Sequence, residues 1–275
     1  MAALRGRSTS DSPRVRHSQA SALLRSLGPA SIGVLVTDPP YDTVNRHGGT
    51  YLRRWFGRSL SWPQIGRVLA IGRRRLQADG LAIVLVNEAG LDEARRAVRA
   101  AGFARIRQAV WDKRAPGLGQ GLRHQVEYVL FGLLPGSRTL TGTDLVAAPA
   151  VGSRTAGRYA TEKPVGLGRE LARIANVRRG ELVVDPFAGS GNLLVGALER
   201  GARVVAGDTS VRAIRLATRR LAAVARPNPP AAARGRPSLE GRPSKARAPL
   251  RNSARQSRPK ARPTTRHSRP KDGRP

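Results

Sequence analysis

The chain reads as an α/β fold: a mostly parallel sheet with an antiparallel edge hairpin and helices on both faces. Three observations lead there. Short apolar runs at residues 32–37, 81–86, 181–184 and 203–206 are rich in Val, Leu, Ile and Ala, as in strands covered on both sides. Stretches of helical periodicity separate them. Strand and helix therefore alternate, which is how crossover connections build a parallel sheet.

Composition narrows the class of protein. With 275 residues there is enough chain for one such domain with a full core and residues to spare. Lys and Arg number 50 against 18 Asp and Glu, a formal charge of +32. A single-sign field of that size points to a polyanionic partner, most simply nucleic acid. An anionic membrane surface competes for that reading, but no sustained basic amphipathic helix with aromatic anchors is present. No run approaches the ~18–20 apolar residues of a membrane span. Residues 1–31 lack the compact apolar stretch of a signal peptide, so a cytoplasmic protein is expected. The absence of cysteine excludes disulfides, thiolate metal sites and a cysteine nucleophile. His17, His47, His124 and His267 are scattered without metal-ligand spacing, and no metal is expected.

Taken in order, residues 1–17 form a basic, Ser- and Arg-rich arm expected to be flexible. Ala20, Leu23, Leu24 and Leu27 have helical spacing, ended by Gly28 and Pro29. The strand at 32–37 follows, then a loop at 42–49 and a basic, aromatic stretch at 51–60 containing Trp55 and Phe56. The loop reads equally as a lid or as a plain connection. The aromatic stretch suits phosphates and bases, although core packing is the commoner fate of such rings. A helix at 62–76, a turn at 78–80, a strand at 81–86 and a helix at 91–101 complete the first half. Strands at 105–111 and 126–134 flank a basic Gly-rich loop and read as the edge hairpin. Residues 140–160 are read as a connection without periodicity. Helices at 165–176, 192–200 and 211–225 alternate with the strands at 181–184 and 203–206. From Arg226 the chain is Pro, Arg, Ala, Ser and Lys, too poor in apolar residues to fold. The domain therefore spans 18–225, and 226–275 is a disordered basic tail suited to sequence-independent phosphate binding.

Two stretches carry the chemistry. The first strand runs into Asp38, Pro39, Pro40 and Tyr41. Proline fixes φ and removes a donor, so the carbonyls of Asp38 and Pro39 are available as rigid acceptors beside a carboxylate. That set suits an amino group with two hydrogens, and Tyr41 offers a flat face to an aromatic base. Taken alone, the same residues read equally as an ordinary turn. The second stretch is Asp185, Pro186, Phe187, Ala188, Gly189, Ser190 and Gly191, between a strand and a helix. Glycines there let backbone approach a ligand at a helix N-terminus, and Asp208, at the end of the next strand, lies where a carboxylate meets ribose hydroxyls.

Together the two stretches resemble the DNA amino-methyltransferases, enzymes that methylate adenine N6 or cytosine N4 with S-adenosyl-L-methionine. The resemblance covers roughly residues 18–221 and includes Lys163 and Pro164 ahead of the cofactor helix. Trp111, Asp112 and Lys113, followed by Glu127, Tyr128, Val129 and Leu130, support it. The catalytic stretch precedes the cofactor stretch, as in the permuted β group. Methyltransferases acting on glutamine or RNA guanine with Asn-Pro-Pro-Tyr usually have the opposite order. The resemblance implies the Rossmann-like methyltransferase fold, with Asp38, Pro39, Pro40 and Tyr41 as catalytic residues gripping a flipped base. It implies a cofactor site of Lys163, Pro164, Asp185, Phe187, Ala188, Gly189, Ser190, Gly191 and Asp208, and no metal. DNA is the implied partner, met by the basic face and the tail. Aspartate at the first position favours adenine N6; cytosine N4 is the alternative. A DNA-binding protein on a lapsed scaffold is a further one, and an RNA methyltransferase another.

Three places depart from the family pattern. Near His17, Ser18 and Gln19 the usual acid before the first helix is missing. Asn192 stands where threonine is usual. Residues 134–159 are short for a target-recognition insert.

Overall fold

The computed structural model describes residues 12–41, 59–117, 121–150 and 162–226. In chain order the first half forms β1 (Arg14–His17), α1 (Ala20–Arg25), β2 (Ile32–Thr37), α2 (Trp62–Arg73), β3 (Leu76–Val86) and a 3-10 turn (Glu88–Gly90). Then come α3 (Leu91–Ala100), β4 (Arg105–Asp112), β5 (Val126–Leu133) and β6 (Leu145–Ala147). The chain continues through α4 (Val165–Ile174), β7 (Leu182–Asp185), α5 (Asn192–Glu199), β8 (Arg203–Asp208) and α6 (Val211–Ala225). The loop at 42–49, most of the aromatic stretch and the basic tail lie outside the described residues.

One sheet has the order β1-β8-β7-β2-β3-β5-β4-β6. Neighbours are parallel except at β5, which runs against both β3 and β4. Strand β2 is central, and all six of its residues are buried. Alternation along it sends Val34 and Val36 to the face covered by Leu167, Leu171, Leu194 and Leu221 of α4, α5 and α6. Leu35 faces Leu24, Ile65, Leu69 and Val98 of α1, α2 and α3. Buried apolar strands between two helical layers are what the Val- and Leu-rich runs require.

The crossover β2–α2–β3 covers one face and β7–α5–β8 the other, and β2 and β7 are neighbours. Their meeting is a topological switch point, where the connections leaving two adjacent parallel strands diverge and open a crevice at the carboxyl edge. Helices α4 and α5 press together at glycines: a Cβ on Gly196 would lie 2.4 Å from the Arg169 Cα, and one on Gly168 would lie 2.5 Å from the Asn192 carbonyl oxygen.

Four sequence expectations change. Arg14–His17, assigned to the flexible arm, is a strand pairing in parallel with β8. Val15, partly buried, is its one apolar contribution to the core, so composition carries no sign of it. The turn at 78–80 lies within β3, where the strand bulges: Ile32 pairs with Leu76, but Val34 pairs with Leu81. Asp79 in the bulge pairs with Arg178 and, at 3.5 Å, with Arg138; Arg138 also reaches the buried Glu181. The hairpin β4–β5 is present but is not the edge, because β6 pairs beyond β4. That short strand, Leu145–Ala147, sits in the segment read as structureless, with only Val146 pointing into the core.

Candidate active site

Strands β2 and β7 bring the two marked stretches to one rim. Val34 pairs with Val183 and Leu35 with Val184, so the next step of the register sets Val36 beside Asp185. Asp38 follows just past the end of β2, near enough that its charge helps to raise the proton affinity of Asp185. The end of β8 adds Asp208, two strands from β2.

Past Asp38 the chain tightens. The Tyr41 N–H donates to the Pro39 carbonyl at 3.0 Å, closing a three-residue turn. Leu60 N–H donates to the Pro40 carbonyl at 2.7 Å. The Pro39 carbonyl, expected to be fully available, therefore has one of its two lone pairs engaged. Tyr41 is only 4% exposed. Its ring stacks on Trp62 with centroids 5.2 Å apart and planes at 21°, and its hydroxyl accepts the Asn87 N–H at 3.0 Å. Burial and then the Asp38 carboxylate push the phenol well up, so it stays neutral. The ring offered to a base by sequence is thus fixed, with one face taken by Trp62.

Asp38 sits in a cluster of charge. Lys163 Nζ lies 2.5 Å from its Oδ2 and 3.6 Å from Glu127 Oε2. Lys113 Nζ lies 3.5 Å from the other oxygen of Glu127. The Lys163 ammonium also sits 6.0 Å from the centre of the Trp111 ring, whose indole N–H donates to the Ala148 carbonyl at 2.7 Å. Burial raises the proton affinity of Asp38, and Lys163 opposes this. For Lys163, burial lowers the affinity, but the carboxylates of Asp38 and Glu127 outweigh it and the ammonium is held charged. Lys163, expected at the cofactor site, pairs through its ammonium with the Asp38 carboxylate. Pro164 is buried at the N-terminus of α4.

The glycine bend is built from the backbone. Gly191, at φ 80°, caps α5, and Gly189 has φ 50°. Gly189 N–H donates to Asp208 Oδ2 at 2.9 Å, and Ser210 N–H to Oδ1 at 2.8 Å. The Thr209 N–H is a further backbone donor to this carboxylate, which leaves it acceptor capacity for one hydroxyl. Asp185 Oδ1 accepts the Phe187 N–H at 3.0 Å, while Oδ2 is buried with no hydrogen-bond partner among the described residues. An uncompensated buried carboxylate oxygen at a crevice suits a cationic donor. Ala188 and Ser190 are buried, and Phe187 half-buried, along the bend. At the place of the missing acid, His17 pairs in register with Asp208, and Ser18 N–H donates to its carbonyl at 3.0 Å.

Several contributors are absent from the sequence reading of the site. Asn192 Nδ2 donates to Glu162 Oε1 at 3.1 Å and to the Lys163 carbonyl at 2.6 Å. Arg220 pairs with Glu162 at 2.7 Å and donates to the Ser190 carbonyl at 2.8 Å. Glu127, Asn87 and Trp62 complete the set. Two of them carried a signal: Asn192 as a departure from the family pattern, and Glu127 as an acid at the mouth of an apolar strand. Among the described residues no cluster of His, Asp and Glu is arranged to hold a metal, and no helix is long and apolar enough to cross a membrane.

Comparison with known proteins bears on the fold. No protein-family model matches the chain. A relative in Escherichia coli (strain K12), provisionally named methylase YubD, is 27% identical over 202 residues, spanning 71% of this chain and 84% of its own. A Thermus thermophilus protein, provisionally described as a DNA modification methylase and solved with S-adenosyl-L-methionine, superposes with a TM-score of 0.58. The two are 23% identical, over 78% of this chain and 94% of that one. The cytosine-N4-specific PvuII DNA methyltransferase superposes with a TM-score of 0.60 at 15% identity, over 81% of this chain and 89% of that one. The fold is therefore the Rossmann-like one of these methyltransferases.

Proposed function

We propose that this chain is an S-adenosyl-L-methionine-dependent DNA methyltransferase acting on the exocyclic amine of a base taken out of the stack, adenine N6 in the first place. The observation that carries the reading is the convergence of Asp38 and the Gly189 bend at the switch point between β2 and β7. The residues fit the cofactor: Asp185 Oδ2 lacks a donor, which an ammonium supplies, and Asp208 keeps acceptor capacity for a ribose hydroxyl. When bound, the cofactor supplies an electrophilic methyl group on a sulfonium.

The chain's own part is orientation and electrostatics. The Asp38 carboxylate and the spare lone pair of the Pro39 carbonyl take the two amine hydrogens. This turns the nitrogen lone pair out of conjugation with the base. Tyr41, locked by Trp62 and Asn87, sets the floor of the turn. The basic face and the tail hold the phosphates, and a chain lacking residues 226–275 is expected to show a shallower salt dependence of DNA binding.

The test is methyl transfer to DNA with Asp38→Ala as control, followed by modification-sensitive sequencing. N6-methyladenine at a recurring site supports the reading; N4-methylcytosine transfers it to the other amine. Activity retained in Asp38→Ala, or none in the wild type, overturns it. Duplex DNA preferred over RNA is the expected substrate pattern.

A further inference from the structure

One ammonium faces two carboxylates at the catalytic turn. Lys163 Nζ is 2.5 Å from Asp38 Oδ2 and 3.6 Å from Glu127 Oε2, and that Glu127 oxygen is buried without a hydrogen bond among the described residues. Lys113 pairs with the other oxygen of Glu127 at 3.5 Å. The indole ring of Trp111 lies 6.0 Å from the ammonium and leaves it no aqueous alternative on that side. The remaining groups facing Asp38 are the neutral Tyr41 phenol and Asp185, itself held towards its protonated form by burial.

We infer that Lys163 is a positioning residue shared between Asp38 and Glu127: it holds Asp38 ionised and aimed while the amine docks, and moves to Glu127 when Asp38 takes the proton the amine must shed. The inference rests on Asp38 being the acceptor of the amine hydrogens. The proton step balances simply. The N–H bond breaks with its electron pair staying on nitrogen, the proton goes to the Asp38 carboxylate, and it leaves to bulk water with the product. A neutral Asp38 no longer attracts the ammonium, and Glu127 is the charge that remains within reach. The second carboxylate keeps Lys163 from becoming an unpaired buried cation at that moment, which is otherwise a costly state.

The test uses the full chain without DNA or cofactor, titrating the protonated-carboxyl infrared band, with Asp38→Asn and Glu127→Gln assigning the two acids. Lys163→Met is expected to move the ionisation midpoint of Asp38 up by a pH unit or more, and Lys163→Arg to bring it most of the way back. Glu127→Gln is expected to move Asp38 the opposite way, down, because Lys163 then serves one carboxylate. Asp38→Asn is expected to move the titration midpoint of Glu127 down. Shifts of the same sign in Lys163→Met and Glu127→Gln overturn the pairing, as does no shift in either. An unmoved Glu127 in Asp38→Asn overturns the sharing. If Lys163→Met does not fold, the Glu127→Gln shift decides the pairing. In methyl transfer the acidic limb of kcat/KM should follow the same signs, about tenfold in rate per pH unit below the limb. Glu127→Gln should also lower kcat severalfold with KM held. If no form transfers methyl groups, the infrared arms still decide this inference, and the failure belongs to the proposed function.

Discussion

The side chain of Asp208 is fastened to the backbone of Gly189, whose N–H it accepts at 2.9 Å, so the acid at the end of β8 and the glycine bend at the end of β7 form one rigid piece. Ser210 N–H holds the other oxygen at 2.8 Å. Asp208→Ala removes two charge-assisted hydrogen bonds of about 1.5–3 kcal/mol each in typical sites, discounted because the side chain is partly exposed. A loss of roughly 2 kcal/mol in urea unfolding is expected. Binding of S-adenosyl-L-methionine, read by calorimetry, should weaken at least tenfold. Asp208→Asn keeps one acceptor and should fall between.

Asp185 gives a pH signature with a definite sign. Burial holds its carboxyl well above the ordinary range, and the Phe187 N–H offsets this only in part. The folded state therefore binds this proton more tightly than the unfolded chain does. Its contribution to stability is full below the unfolded value of about 4 and is lost as pH rises towards the folded value. Asp185→Asn removes the ionisation. Thermal midpoints across that window should show the variant gaining on the wild type as pH rises, and the gap should level above the folded value. The variant should bind the cofactor poorly at every pH. A gap independent of pH would mean that Asp185 is charged at no cost.

The elements legible in the sequence were those whose burial writes a pattern. β2 and α6 match their expected bounds because every turn or alternation carries apolar residues, from Ile32 to Val36 and from Ala213 to Leu221. β1 was hidden because it joins the sheet through backbone hydrogen bonds and offers little more than Val15 to the core. The bulge in β3 was hidden because Gly80, with Asp79 before it, spells a turn, whereas its conformation is set by Arg138 and Arg178 from far along the chain. In the site, Asp38, Asp185 and Asp208 were legible from the strand ends that carry them. The aim of Lys163 was not, since its partner lies 125 residues away in sequence and only the fold chooses between a cofactor and an acid.

Tyr41 separates a structural role from a recognition role. Tyr41→Phe keeps the stack on Trp62 but leaves the Asn87 N–H without the phenol oxygen. A stability loss of about 1–3 kcal/mol is expected. KM for DNA should change little, because the hydroxyl is already engaged by the Asn87 N–H. Tyr41→Ala also removes the stacked pair and should raise KM as well as lowering stability. Chemical denaturation alongside steady-state kinetics distinguishes the two variants.

Asn192 ties the start of α5, next to the glycine bend, to Glu162 and Lys163. Its amide nitrogen reaches the Glu162 carboxylate at 3.1 Å and the Lys163 carbonyl at 2.6 Å, from the first residue of α5. Asn192→Thr, the residue usual in the resembling family, is too short to keep both contacts. Glu162 retains Arg220 at 2.7 Å, so the loss should stay near ~1 kcal/mol in urea unfolding. The Lys163 backbone, however, loses its tether, and the ammonium at its end is the group that fixes Asp38. The larger effect is therefore expected in kcat, severalfold down with cofactor affinity nearly unchanged, because a small displacement of a positioning group costs rate before it costs binding. A variant that loses affinity and keeps kcat would place Asn192 in the cofactor site alone and detach it from the catalytic turn.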